Sequence, residues 1–113
     1  MNYREDDDKF KVWARQIKIQ DNWTCQICGA KGGYMEAHHL NGYNSFPEQR
    51  YLISNGKNLC QRCHQRFHDT YGYGGNTAFQ YKEYEEIANT LKKIAEKIAL
   101  ENKTPPENSE NRN

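Results

Sequence analysis

Apolar side chains recur at Phe10, Trp13, Ala14 and Ile17, three and four positions apart. That spacing predicts a helix over about residues 7–19 with one apolar face. Asp6, Asp7 and Asp8 stand at its start, where acidic groups complement the helix dipole, and Asp21-Asn22 ends it. Trp13 and Ile17 should pack this helix on the segment that follows, and Trp23 should cover the knuckle at residues 24–33. Residues 34–40, YMEAHHL, predict a short strand, and residues 57–59, KNL, a second strand paired with it. Residues 41–56 carry two Asn-Gly pairs and Pro47 and are expected to be mostly loop. Residues 60–70 predict a second helix, which Gly72, Gly74 and Gly75 break.

A third helix is expected from residue 77 to about 102. Thr77 and Gln80 have the T-x-x-Q spacing of a capping box. Tyr84, Ile87, Leu91, Ile94 and Ile98 then follow at alternating steps of three and four. This stripe most simply docks on the body of the protein; a short coiled coil with a second copy is the alternative. Residues 103–113 hold two prolines and no apolar side chain and are expected to be disordered. The organisation is therefore one small α+β domain over residues 1–103, with a finger core at about 23–70 and a tail at 104–113.

Composition narrows the function. Only 35% of the 113 residues are hydrophobic and the mean hydropathy is −1.16, so a metal or partner should help hold the core. No apolar run exceeds three residues, which argues against a membrane span or a secretory leader and for a cytoplasmic protein. The net charge of +1 conceals a pattern. Residues 9–82 hold ten basic and four acidic side chains, whereas both ends are acidic on balance. The middle of the chain suits a polyanion.

The chemistry is concentrated there as well. Cys25 and Cys28 form one C-x2-C pair, and Cys60 and Cys63 form another. In a reducing compartment two such pairs indicate one tetrahedral structural zinc rather than two disulfides. Four histidines remain: His38, His39, His64 and His68. His64 and His68, four apart on a helix, share one face and can share an ion. The residues thus ask for a second metal site and one histidine that binds no metal.

The order C-x2-C, AHHL, KNLC-x2-CH-x3-H resembles the HNH nucleases over about residues 10–80, in particular small free-standing endonucleases of phage and bacterial type. The resemblance implies a ββα-metal finger and a metal-dependent endonuclease that hydrolyses DNA, nicking one strand or cutting both. It implies His39 as general base and His38, His64 and His68 as ligands of one catalytic divalent metal. Asn58 would be the middle residue of the motif, holding the loop and the base in orientation. Zn, Mn, Ni, Co and Mg are the candidate ions, with imidazole ligands favouring the transition metals over Mg. Arg62 and Arg66, flanking the helical ligands, would grip phosphates, with Arg50 and Lys57 as weaker candidates. A partner in a phage or restriction assembly, or a second copy, would pair through the C-terminal helix. Since neighbouring strand residues face opposite ways, His38 and His39 are expected to share a site only if the strand is kinked or bulged there.

Overall fold

The computed structural model describes residues 5–103 of the protein; the proposed tail at 104–113 lies outside the described residues. Helix α1 (Glu5–Gln20) is followed by strand β1 (Met35–His39), two short 3-10 turns, strand β2 (Gly56–Cys60), helix α2 (Gln61–Tyr71) and helix α3 (Ala78–Lys103). The fold is a small α+β arrangement: an N-terminal helix, a β-hairpin, a helix laid on it and a long C-terminal helix. β1 and β2 pair antiparallel, from Met35 opposite Cys60 to His39 opposite Gly56.

Two apolar layers hold the hairpin between helices. On one side Leu59 and Phe67 are fully buried with Met35, Cys25, Cys63 and Tyr81. On the other, Trp13 and Ile17 of α1 are buried as their spacing predicts. They rest where β2 begins, at Gly56. A methyl group there would fall 2.6 Å from both Trp13 Cζ2 and Ile17 Cγ1. Gly56 was expected in a loop because Asn55-Gly56 reads as a turn. It is instead the first strand residue, and the missing side chain lets α1 approach the sheet. The indole N–H of Trp13 donates to the carbonyl of Leu52 at 2.8 Å, so α1 also pins the loop between the strands.

The helix termini follow local chemistry. Cys60 caps α2, its sulfur accepting from the Cys63 N–H at 3.4 Å, and Gly72 ends that helix at φ +83°. Thr77 and Gln80 form the expected capping box: the Gln80 N–H donates to Thr77 Oγ1 at 3.2 Å and the Thr77 N–H to Gln80 Oε1 at 3.1 Å.

Two expectations are corrected. Trp23, expected to cover the knuckle, leaves 41% of its surface exposed. Asn22 and Trp23 both adopt left-handed backbone and make the turn from α1 into the knuckle. The stripe on α3 does not dock on the body beyond its first turns. Tyr81 is buried, and Tyr84 donates its hydroxyl to the Cys63 carbonyl at 2.9 Å. Ile87, Leu91, Ile94 and Ile98 are 51–60% exposed, because the finger ends at Tyr84 and the helix overhangs it. Among the described residues no helix is long and apolar enough to cross a membrane.

Replacing Gly56 by Ala forces Trp13 and Ile17 to move. The expected cost is about 1–3 kcal/mol, typical of an overpacked core. A thermal melt should show a transition several degrees lower, with the metal content of the finger unchanged.

Candidate metal centres and active site

The two C-x2-C pairs come together as their spacing suggests. The sulfurs of Cys25, Cys28, Cys60 and Cys63 all lie within 4.8 Å of one another. Cys28 and Cys60 sulfurs are 3.8 Å apart, close to the edge of roughly 3.8 Å that a tetrahedron of ~2.3 Å zinc–sulfur bonds requires. Backbone N–H groups of Ile27 and Cys28 donate to Cys25 Sγ at 3.4 and 3.5 Å. Burial raises the Cys25 pKa, but these backbone donors outweigh it and the thiol comes down to about 7. Burial pushes Cys28 and Cys63 upward, as expected of thiols that ionise only against a cation. The donor set fits a structural zinc.

The second cluster is His38, His64 and His68, whose ligand atoms also lie within 4.8 Å of one another. Each helical ring is oriented by its far nitrogen. His64 Nδ1–H donates to Glu36 Oε1 at 2.5 Å, and His68 Nδ1–H donates to the Gly72 carbonyl at 2.9 Å. In both rings Nε2 therefore carries a lone pair. These two lone-pair nitrogens face each other at 3.2 Å, and His38 Nδ1 is also 3.2 Å from His64 Nε2. Two acceptors at hydrogen-bond distance repel unless a cation sits between them, so the arrangement fits a bound metal. His38 is buried against Phe67 and Tyr81, and its Nε2 has no partner. Burial first, then the neighbouring histidines, push His38 down to about 3, so the ring is neutral and able to ligate. Burial also lowers His64, with the Glu36 carboxylate acting against it.

His39 faces the other way. Its ring lies flat on Trp13, 3.8 Å between centroids and 12° between planes, with Phe10 and Tyr43 beside it. Its Nε2–H donates to the Arg50 carbonyl at 2.8 Å, which leaves Nδ1 as the acceptor. Burial lowers the His39 pKa and the hydrogen bond to Arg50 opposes this only in part. The expected kink at the histidine pair is absent: the ladder runs unbroken through His38 and His39. Both rings reach one site because β1 ends there. A cavity of about 230 Å³ wraps the strand end and is lined by all four histidines.

Residues 25–70 match the family model described as HNH endonuclease. This segment belongs to the HNH endonuclease family. No curated protein and no solved structure gave a match. A match to the HNH family over this segment implies a metal-dependent nuclease with DNA as its substrate.

Within the HNH finger the residue expected to hold the loop is displaced. Asn58 is buried, but its bonds run toward the knuckle: its N–H donates to Asp21 Oδ2 at 2.8 Å and its side chain to the Thr24 carbonyl at 3.1 Å. Mid-strand, it faces the start of the finger and not the loop. Asn55 does the holding. Its Nδ2 donates to the carbonyls of Asn41 and Gln49 at 2.9 and 3.1 Å, and its Oδ1 accepts from the Asn41 N–H at 2.9 Å. This clamps the segment that presents the Arg50 carbonyl to His39. Glu36 was also missed; the signal was its position two residues before His38, on the same strand face.

The basic residues expected at phosphates are not gathered at the HNH site. Helical spacing turns Arg62 and Arg66 away from the His64–His68 face, and Arg66 lines a groove beside Tyr84 and Leu91. Arg50 is engaged within the loop: Nε donates to the Tyr43 carbonyl at 2.6 Å and the guanidinium lies 4.4 Å from the Tyr43 ring. Lys57 is half-buried opposite His38 on β2. Lys18 of α1, not singled out in the sequence, lines the cleft next to His64 and His68.

Glu36 fixes the His64 ring through Nδ1 and leaves Nε2 to face the other two histidines. Glu36→Ala should weaken metal binding at the histidine cluster by about 10–100-fold, the usual effect of removing such a support. Titration with Mn or Ni followed calorimetrically would show this, with cysteine-bound zinc retained.

Proposed function

We propose that this chain hydrolyses DNA phosphodiester bonds, with His39 as general base and His38, His64 and His68 as ligands of one catalytic divalent cation. One observation carries the reading. Three histidines bring ring nitrogens within 4.8 Å of one another, those of His64 and His68 as acceptors, while the fourth, in the same cavity, has its tautomer set by a backbone carbonyl. The bound cation would neutralise charge on a phosphate oxygen and on the departing 3′ oxygen. His39 Nδ1, neutral because the ring is buried, takes a proton from water. The water oxygen then bonds to phosphorus in line as the bond to the 3′ oxygen breaks. The ends formed are a 5′-phosphate and, after protonation from solvent, a 3′-hydroxyl. Arg50, through its carbonyl, and Asn55, through the loop, hold the base in place. Three imidazoles favour Zn, Mn, Ni or Co over Mg. The four thiolates need a reducing compartment, which supports a cytoplasmic setting.

The rival reading is a zinc module that binds nucleic acid without cutting it. His39→Ala separates the two. It removes the proposed base and no ligand, so both metal sites should persist while plasmid cleavage falls about 100-fold or more. His38→Ala should instead weaken metal binding, and added metal should partly restore it. Cleavage by His39→Ala at the parent rate would reject this base, and a parent chain that cuts nothing with any divalent metal would leave the binding module.

The exposed stripe of α3 supports pairing with a second copy, antiparallel. Residues 82–86 hold three acidic side chains and one basic, and residues 92–97 three basic and one acidic. Antiparallel alignment sets each group against its opposite and covers Ile87, Leu91, Ile94 and Ile98. Light scattering should show a concentration-dependent dimer for the parent chain and a monomer for Leu91→Glu, with the same melting transition for the finger. A parent chain that stays monomeric at its highest soluble concentration would assign the stripe to another partner.

A further inference from the structure

We infer that the cleft beside the histidine cluster receives unpaired nucleotides, so that the strand being cut is single-stranded or locally opened as it crosses the site. This rests on the nuclease reading and names the form of its substrate.

The cleft, of about 570 Å³, shares His64 and His68 with the histidine cavity and runs from them between α1 and α2 to Tyr34. A strand with one phosphate at the three histidines can lay its neighbouring nucleotide over this cleft. Three aromatic rings border it: Phe10, Tyr34 and Tyr73. All are open to water, at 40%, 66% and 70% exposure. Tyr73 lies flat on His68, 4.3 Å between centroids and 10° between planes, so one face rests on a ligand and the other is free. Gln65 Nε2 donates to its hydroxyl at 3.0 Å and holds the ring in that plane. Phe10 stands on the opposite wall, stacked at 6.0 Å beside His39.

Rings placed this way offer π faces to whatever occupies the cleft. In a duplex the base faces are stacked on one another and cannot use them; in an unpaired strand they can. Charge points the same way. Lys18 is the single Lys or Arg among the lining residues, and Arg62 and Arg66 turn elsewhere. One cation beside the acidic Glu36 cannot follow two phosphate backbones, so binding in this cleft has to come from the rings more than from charge.

The test is fluorescence anisotropy with a labelled oligo-dT strand and with the same strand paired to oligo-dA. The protein carries its cysteine-bound zinc, and no second divalent metal is added, so nothing is cut. The single strand should bind more tightly than the duplex. Tyr34→Ala should weaken single-strand binding about tenfold, the effect of losing one base–aromatic stack. Duplex binding should not change, and Tyr34→Trp should restore the affinity. Tyr34 is exposed, so the substitution leaves the fold intact; Tyr73→Ala is the second variant, checked by metal content because its ring supports His68. If Tyr34→Ala and Tyr73→Ala both bind single strand like the parent, or lose single strand and duplex equally, the inference fails. Failure of the nuclease reading looks different: the ring-dependent preference for single strand would remain while no metal supports cleavage.

Discussion

The histidine site depends on an angle set a few residues away, where β2 turns into α2. Cys60 is the last residue of the strand and the cap of the helix, and Cys63 lies in the first turn. With Cys25 and Cys28 closing the cluster from the knuckle, a zinc held by the four sulfurs would join the start of the finger to the joint between strand and helix. That joint decides which way α2 leaves the sheet, and so where His64 and His68 stand relative to His38. The fully buried pair Leu59 and Phe67 packs just inside the same corner. A core of this size has little apolar surface to fix such an angle alone, and a metal bound by the four cysteines would supply the missing rigidity.

From that corner the site is assembled by opposition across one strand. His38 turns toward α2 and enters the buried layer; His39 turns toward α1 and is sandwiched by aromatic rings. The two environments differ in what they ask of an imidazole. His38 is enclosed and neutral, and its Nδ1 lies 3.2 Å from His64 Nε2. His39 keeps one nitrogen on a carbonyl and the other as acceptor in the shared cavity. The period of the strand separates the proposed ligand from the proposed base, and no bulge is needed because the strand stops where the two rings meet the same cavity.

Much of this was legible in the sequence because the strongest constraints are local. Two C-x2-C pairs, two histidines four apart on a helix, a capping box and a three-four apolar spacing each declare their geometry within a few residues. What escaped reading was set by contacts between distant segments. Asn55-Gly56 has the composition of a turn, but the arrival of Trp13 and Ile17 makes Gly56 a strand residue and buries Asn55 under the loop it clamps. Asn58 sits in the KNLC run next to the cysteines, yet strand alternation turns it toward Asp21 and Thr24. The α3 stripe has the spacing of a buried face, and spacing carries no information about whether there is enough body to bury it. Arg62 and Arg66 are neighbours of the ligands along the chain and strangers to them around the helix.

The stacking of Trp13 on His39 has a consequence for how this unit can be divided. The family match begins at Cys25, but the ring that flanks the proposed base lies twelve residues earlier, on α1, and the same indole anchors the loop whose carbonyl fixes the base's tautomer. A graft of residues 25–70 onto another scaffold would carry every thiolate and every imidazole and still leave His39 without a wall. The transplantable module starts with the helix, so α1 is a component of the proposed active site rather than a preface to it.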